Sequence, residues 1–199
     1  MTVRTTIRAL CILSLSGCTL FSPVHMDTKT YALSTIPDDF PMQRTHAATL
    51  LVLVPESAPA YATPRMAYSS QQYQIAYFSQ NEWVATPAQM LQPLIVETLQ
   101  RTHYFSEVLS SPFFGRPTFS LRTEIIELTQ DFSSDPAVLR LTMRCYLTRE
   151  TSHQVVATKE LSTQELLSER NPYAGVVAAN TAAARLLREL SRFVVEHAH

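Results

Sequence analysis

The chain has 199 residues, of which 46% are hydrophobic and 17% charged, and its 16 basic and 17 acidic residues give a formal net charge of −1. This composition is typical of one folded globular domain and excludes both a disordered tail and a polytopic membrane protein. Because the charge balance implies no basic surface, we expect no nucleic-acid partner.

The first seventeen residues have the three parts of an export signal. Arg4 and Arg8 make the start positive, residues 9–15 form an apolar run, and Ser16 and Gly17 provide small side chains at the end. The apolar run is far shorter than the roughly twenty residues that a helix needs to cross a membrane. We therefore predict a cleaved signal peptide over 1–17, with a short buried core helix as the alternative.

Residues 15–18, Leu-Ser-Gly-Cys, resemble the bacterial lipobox. The resemblance implies cleavage between Gly17 and Cys18, a diacylglyceryl group on the sulfur of Cys18 and an acyl group on its new amine; we predict no other cofactor. Two or three buried acyl chains anchor a protein stably where one chain does not. Lipoproteins kept in the inner membrane commonly carry Asp after the cysteine, so Thr19 favours the outer membrane.

After the anchor, the sequence predicts a tether over 18–29 and a single periplasmic domain over 30–199. In its first half we expect a short strand at 31–33, a central strand at 49–54, a hairpin over 65–78 and a helix over 87–99. Thr86, Pro87 and Gln89 have the spacing of a capped helix start. Pro93 predicts a kink, because a proline beyond the first turn removes a helical hydrogen bond.

The second half of the domain shows the clearest alternation in the chain. Strands are predicted at 105–109, 118–128, 138–148 and 154–164, and an alanine-rich helix at 172–196. Leu139, Leu141, Met143, Cys145 and Leu147 fall on one face, which predicts that Cys145 is a buried, unreactive thiol. The order of elements predicts an α+β fold, with a mixed or antiparallel sheet and two main helices packed on it.

No catalytic or metal-binding motif is visible. Beyond the signal the chain has only two glycines, Gly115 and Gly175, so the sequence contains no glycine-rich phosphate-binding loop. Glu124 and Glu127 have an odd separation, which in a regular strand puts them on opposite faces and argues against an acid/base pair. His197 and His199 are close neighbours, but a solvated tail explains them better than a metal site. We predict no enzyme.

Aromatic residues form the most suggestive cluster. Four of them are candidate partner-binding residues, because aromatic side chains provide contact area at low entropic cost: Tyr68, Tyr73, Tyr77 and Trp83. Ordinary packing on the sheet is an equally good explanation of the same residues.

The ordered series of features resembles the family of ABC-type transport auxiliary lipoproteins, which includes the paraquat-inducible lipoprotein C group. The series consists of the lipobox, Tyr-Ala-Leu at 31–33, the apolar strand at 49–54, a proline-rich segment at 55–64, Arg-Met-Ala-Tyr at 65–68, and Asn-Glu-Trp at 81–83 before the helix. The chain departs from the family pattern at Tyr61-Ala62 and at Pro93.

The resemblance implies a docking role without catalysis. It implies an outer-membrane lipoprotein that faces the periplasm and works with an envelope-spanning MCE-type protein, an ABC permease and an ATPase to move lipids. A homo-oligomer would suit such a tube-like partner. The alternatives are a lipoprotein that helps to assemble an outer-membrane β-barrel complex and, as a third hypothesis, an envelope hydrolase.

Overall fold

The structure, a computed structural model, describes residues 27–41 and 44–199. The predicted signal peptide, the cleavage site at Gly17 and the lipid-bearing Cys18 lie outside the described residues, as does most of the predicted tether. Within the described ranges, no helix is long and apolar enough to span a membrane.

Nine strands form one curled sheet, a half-barrel, on which two helices pack. This is the α+β class with a mixed sheet that the sequence predicts. The elements in chain order are β1 (Lys29–Tyr31), β2 (His46–Val52), β3 (Glu56–Ser57), a 3-10 turn (Pro59–Tyr61), β4 (Arg65–Ser69), β5 (Ala76–Trp83), α1 (Pro87–Arg101), β6 (Phe105–Ser110), β7 (Phe119–Asp131), β8 (Val138–Arg149), β9 (Gln154–Leu166) and α2 (Pro172–His197).

The long strand β7 organises the sheet. One of its edges pairs antiparallel with β8, and β8 pairs antiparallel with β9. Its other edge takes three parallel partners in succession, first β2, then β3, then β4. The sheet therefore forks, with β6 continuing beyond β2 on one branch and β5 and β1 continuing beyond β4 on the other.

The core lies between the sheet and the helices. Helix α2 packs on β8 and β9, and α1 packs on β6 and α2. The five residues of β8 predicted to face inward are all buried. Burial raises the pKa of the Cys145 thiol to about 12, with Lys159 opposing the shift, so the thiolate that would react is scarce at neutral pH.

Helix α1 begins as the sequence predicts. Its capping box is complete: the Gln89 backbone N–H donates to Thr86 Oγ1 at 3.3 Å, and the Thr86 N–H donates to Gln89 Oε1 at 3.1 Å. The helix continues through Pro93 to Arg101 as one element. Pro93 is exposed while Leu94 and Ile95 are buried, so the residue without an N–H lies on the solvent side of the helix.

The first strand is shifted from its predicted position, ending at Tyr31 instead of continuing to Leu33. Residues 32–40, here called the strap, leave the sheet and lie on α2. Asn180 holds them, because its Oδ1 accepts from the backbone N–H of Ser34 at 2.9 Å and its Nδ2 donates to the Ala32 carbonyl at 3.1 Å. Leu33 is the buried apolar side chain of the strap.

A β-bulge in β7 changes which side chains share a face. Ile125 pairs with Met143 and Glu127 pairs with Thr142, so Ile126 is an extra residue in β7. Glu124 pairs with Arg144, which lies on the same face of β8 as Thr142. Glu124 and Glu127 therefore both lie on the outer face of the sheet, away from the helices, and the prediction of opposite faces is wrong.

Candidate partner-binding site

The four predicted aromatic residues occupy different environments. Tyr73 is 95% exposed, whereas Trp83 is 3% exposed and belongs to the core. Tyr68 stacks on Phe78 with ring centroids 4.5 Å apart, and both are half-buried. The Tyr77 hydroxyl donates to the Ala60 carbonyl at 3.0 Å. Of the four, only Tyr73 exposes most of its ring to solvent, and Trp83 is used in sheet packing.

The alternation of Tyr73, Ile75 and Tyr77 predicts that Tyr73 belongs to the second arm of the β4–β5 hairpin, with the turn at 69–72, but Tyr73 lies in the turn. The hairpin tip, defined here as residues 70–75, is longer than the sequence suggested, because the second arm begins only at Ala76. Tyr73 has a φ of 66°, a left-handed conformation that is rare for a bulky residue. Hydrogen bonds close the tip: the Gln74 N–H donates to the Gln71 carbonyl at 3.2 Å, and Ser70 Oγ donates to Gln74 Oε1 at 2.7 Å.

Ile75 extends the exposed apolar surface of the tip, since half of its area is accessible. A strained backbone that holds an aromatic ring outward is typical of functional segments. Tyr73 and Ile75 together therefore form a small apolar knob on the surface.

A cavity of about 260 Å³ lies between the hairpin tip and the outer face of the sheet. We call it the outer pocket. The tip contributes one wall, and the sheet side and the 3-10 turn contribute Tyr61, Glu127, Thr129, Asp131 and Arg140. Thr129 Oγ1 donates to the Tyr61 hydroxyl oxygen at 2.8 Å, which fixes the tyrosine in the pocket wall.

Asp131 is the best-satisfied group in the outer pocket. Its Oδ1 accepts from the Ser133 N–H at 2.9 Å, and its Oδ2 accepts from Ser134 Oγ at 2.7 Å and from Arg140 Nε at 3.1 Å and Nη2 at 2.9 Å. Burial alone would raise the pKa of this carboxyl. The hydrogen bonds from Ser133, Ser134 and Arg140 outweigh burial and hold the pKa well below its usual range.

Glu127 is in the opposite situation. It is half-buried, and among the described residues it forms no hydrogen bond and no ion pair within 4 Å. Burial raises the pKa of Glu127, the positive charge of Arg140 opposes that shift, and Asp131 adds to it to a smaller extent. The outer pocket thus contains one carboxylate that is neutralised by Arg140 and a second one without a direct partner.

Within the described parts of the chain, no group of three or more His, Cys, Asp or Glu residues could hold a metal ion. His197 Nδ1 lies 2.8 Å from the Phe193 carbonyl oxygen, inside its own helix turn. The arrangement of the tip and the outer pocket is suited to binding, since it offers an apolar knob beside an acidic recess.

Sequence reasoning missed both acidic residues of the outer pocket. Asp131 had a readable signal, because Asp followed by Ser133 and Ser134 is typical of a side-chain-capped turn. Glu127 had no such signal, since the orientation of its side chain depends on the bulge at Ile126, which no residue pattern predicts.

Comparison with known proteins identifies the family. The family model described as "ABC-type transport auxiliary lipoprotein component" matches residues 31–191. No curated protein matches the sequence at a significant level.

Solved structures share the fold at low sequence identity. A crystal structure of a Xanthomonas campestris protein of the DUF330 family is similar with a TM-score of 0.77 and 16% identity, over 85% of this chain and 96% of that one. A hypothetical protein from Chlamydia trachomatis is similar with a TM-score of 0.53 and 11% identity, over 77% of this chain and 98% of that one.

Proposed function

Because the chain belongs to the family of ABC-type transport auxiliary lipoprotein components, we propose that it is a non-catalytic docking subunit of an MCE-type system that moves lipids across the envelope. In this proposal, lipid on Cys18 anchors the chain in the outer membrane, and the domain faces the periplasm. The partner is the envelope-spanning MCE-type protein, which connects to an ABC permease and an ATPase.

The exposed knob of Tyr73 and Ile75 carries the proposal. Exposed aromatic anchors beside a recess are typical of protein–protein hot spots, where a few side chains supply most of the binding energy. Tyr73 keeps 95% of its surface accessible in a conformation that costs free energy, so a role outside the fold accounts for it better than packing does.

The position of the knob also suits docking. The chain enters the sheet at β1, where Lys29 pairs with Asn81 near the end of β5 that is remote from the hairpin tip. The tip precedes Ala76 at the other end of β5. At about 3.3 Å per residue, these two points lie on the order of 17 Å apart along the strand. The knob therefore lies at the end of β5 opposite to the point where the described chain enters the sheet.

Co-purification tests the proposal. The full chain, expressed in its native host and extracted in mild detergent, is expected to retain an MCE-type protein. We expect Tyr73→Ala to weaken partner binding by about thirtyfold and to lower recovery accordingly, because truncation of an aromatic hot spot costs about 2 kcal/mol. Tyr173→Ala is the matched control, since Tyr173 is also exposed but lies on α2.

Equal recovery with Tyr73→Ala and the wild type, when both have the same melting temperature, would contradict docking through the knob. Recovery of an outer-membrane β-barrel in place of an MCE-type protein would instead support the assembly role. Mass spectrometry of the same preparation tests the anchor, because the proposal requires an acylated residue 18 at the mature amino terminus.

A further inference from the structure

We propose that the outer pocket binds the ammonium group of a lysine side chain on the docking partner, with Glu127 as its counter-ion. The assignment of this lysine to a protein partner rests on the proposed function, whereas the binding chemistry of the pocket can be tested on the isolated chain. The proposal adds a charged specificity contact to the apolar knob.

The bulge at Ile126 provides the first observation. Without the extra residue, regular alternation would turn Glu127 toward the helices and the apolar core. With it, Glu127 lies opposite Thr142 on the outer face and lines the pocket. Bulges are commonly found where a strand must re-aim one side chain for function.

The second observation is the state of Glu127 itself. A half-buried carboxylate loses hydration, and natural structures usually compensate with hydrogen bonds or an opposite charge. The described residues give Glu127 neither within contact distance, although Asp131 beside it is fully satisfied. A cation from outside the chain would add a direct contact to the longer-range attraction of Arg140.

The charges in the pocket favour a positively charged ligand. Glu127 and Asp131 are acidic, and Arg140 is the one basic residue among those that line the cavity. Arg140 already directs Nε and Nη2 to Asp131, with Nη2 also 3.3 Å from Ser134 Oγ. An ammonium group therefore meets net negative charge, whereas a phosphate-bearing lipid headgroup would meet two carboxylates and an engaged guanidinium.

The walls of the pocket suit the rest of a lysine side chain. The volume of about 260 Å³ accommodates an amino-alkyl chain, and Tyr73 and Ile75 at the rim offer apolar area for its methylene groups. The side-chain oxygens of Gln72 and Thr129 are available nearby as acceptors for the ammonium hydrogens. The exposed Tyr73 ring can add a cation–π contact.

The test is a titration of the isotope-labelled full chain in detergent, followed by the amide NMR signals of Gln74, Glu127 and Thr129. The probe is Nα-acetyl-lysine amide, and Nα-acetyl-norleucine amide is the uncharged control. We expect saturable shifts with a millimolar dissociation constant for the lysine probe, and no saturation with norleucine.

Two variants assign the contact to one carboxylate. Glu127→Gln is expected to weaken binding of the lysine probe by about tenfold, because the substitution removes a charge-assisted contact. Glu124→Gln is the matched control, since Glu124 lies on the same face but pairs with Arg144 at 3.7 Å and does not line the pocket. It should bind like the wild type.

Three results would overturn the proposal: no saturable binding of the lysine probe, equal binding by Glu127→Gln, or tighter binding of phosphoethanolamine than of the lysine probe. The last result would assign the pocket to a lipid headgroup. These outcomes are distinguishable from failure of the docking function, which is measured by partner recovery with Tyr73→Ala. A chain that binds lysine but recovers no partner refutes the docking function alone.

Discussion

Asp131 stabilises the turn between β7 and β8 by collecting hydrogen bonds from Ser133, Ser134 and Arg140 around one carboxylate. Its side chain is 12% exposed, and that of Arg140 is 32% exposed, so solvent screens the pair only in part. We expect Asp131→Asn to lower the free energy of unfolding by about 2 kcal/mol, measured by urea denaturation. Asp135→Asn, in the same turn but 98% exposed, should change it little.

The lowered pKa of Asp131 adds a pH dependence to this prediction. A carboxyl whose folded-state pKa lies below its unfolded value of about 3.9 contributes its full stability above that value. The contribution is lost as the pH falls through the lower folded-state pKa. The stability gap between wild type and Asp131→Asn should therefore narrow in acid, and a gap that stays constant would contradict the assignment.

Glu127 affects stability with the opposite dependence on pH. Its pKa is raised, chiefly by burial, so its charge costs stability at neutral pH and that cost disappears as the carboxyl is protonated. A neutral residue at this position would make the folded domain more stable at neutral pH. The presence of an acid there agrees with a trade of stability for binding.

At the scale of single elements, Pro93 gives a clear test in α1. A proline inside a helix lacks the N–H that would donate to the carbonyl of Gln89, four residues earlier. Pro93→Ala restores that donor, and we expect it to raise the free energy of unfolding by about 1 kcal/mol in chemical denaturation. Pro87→Ala should give no gain, because Pro87 stands at the first helical position, where an N–H has no partner.

A loss of stability in Pro93→Ala would show instead that the ring itself is needed. Pro93 lines a groove of about 500 Å³ between α1 and β6 together with Val96 and Ser110. Contacts of the ring in that groove would then outweigh the missing hydrogen bond.

Most elements could be predicted from the sequence because their signals are local. The alternation of β8, the capping residues of α1 and the alanine stripe of α2 each depend on neighbours within a few positions. The bulge at Ile126 and the strap on α2 depend on contacts with distant segments. Glu127 faces the outer pocket only because of that bulge, so its role could not be predicted, whereas Tyr73 could be named because an aromatic residue is visible in the sequence itself.

At the scale of the whole molecule, the strap connects the amino-terminal end of the domain to its last helix. Asn180 contacts Ala32, Ser34 and Thr35, and Asp39 pairs with Arg188. We expect Asn180→Ala to speed hydrogen exchange at the Ser34 and Thr35 amides, because both lose their acceptor, and to cost about 1–2 kcal/mol in unfolding free energy.

Thr181→Ala is the control for the strap, since Thr181 neighbours Asn180 but its hydroxyl donates only to the Val177 carbonyl of its own helix. Exchange at Ser34 and Thr35 should be unchanged in this variant. If Asn180→Ala also left that exchange unchanged, the strap would be held by its other contacts, such as the ion pair of Asp39 with Arg188.

The forked pairing of β7 has a consequence for when the domain can form. The strands β2, β3 and β4 do not pair with one another but with β7, and the contact between Thr49 and Thr118 spans 69 positions of the chain. Contacts of such long sequence separation slow folding. In the amino-terminal half, β2, β3 and β4 therefore cannot join into one sheet before β7 is available. Export directed by the signal peptide predicted over 1–17 would benefit from such a delay, because the chain would stay unfolded until it has crossed the membrane.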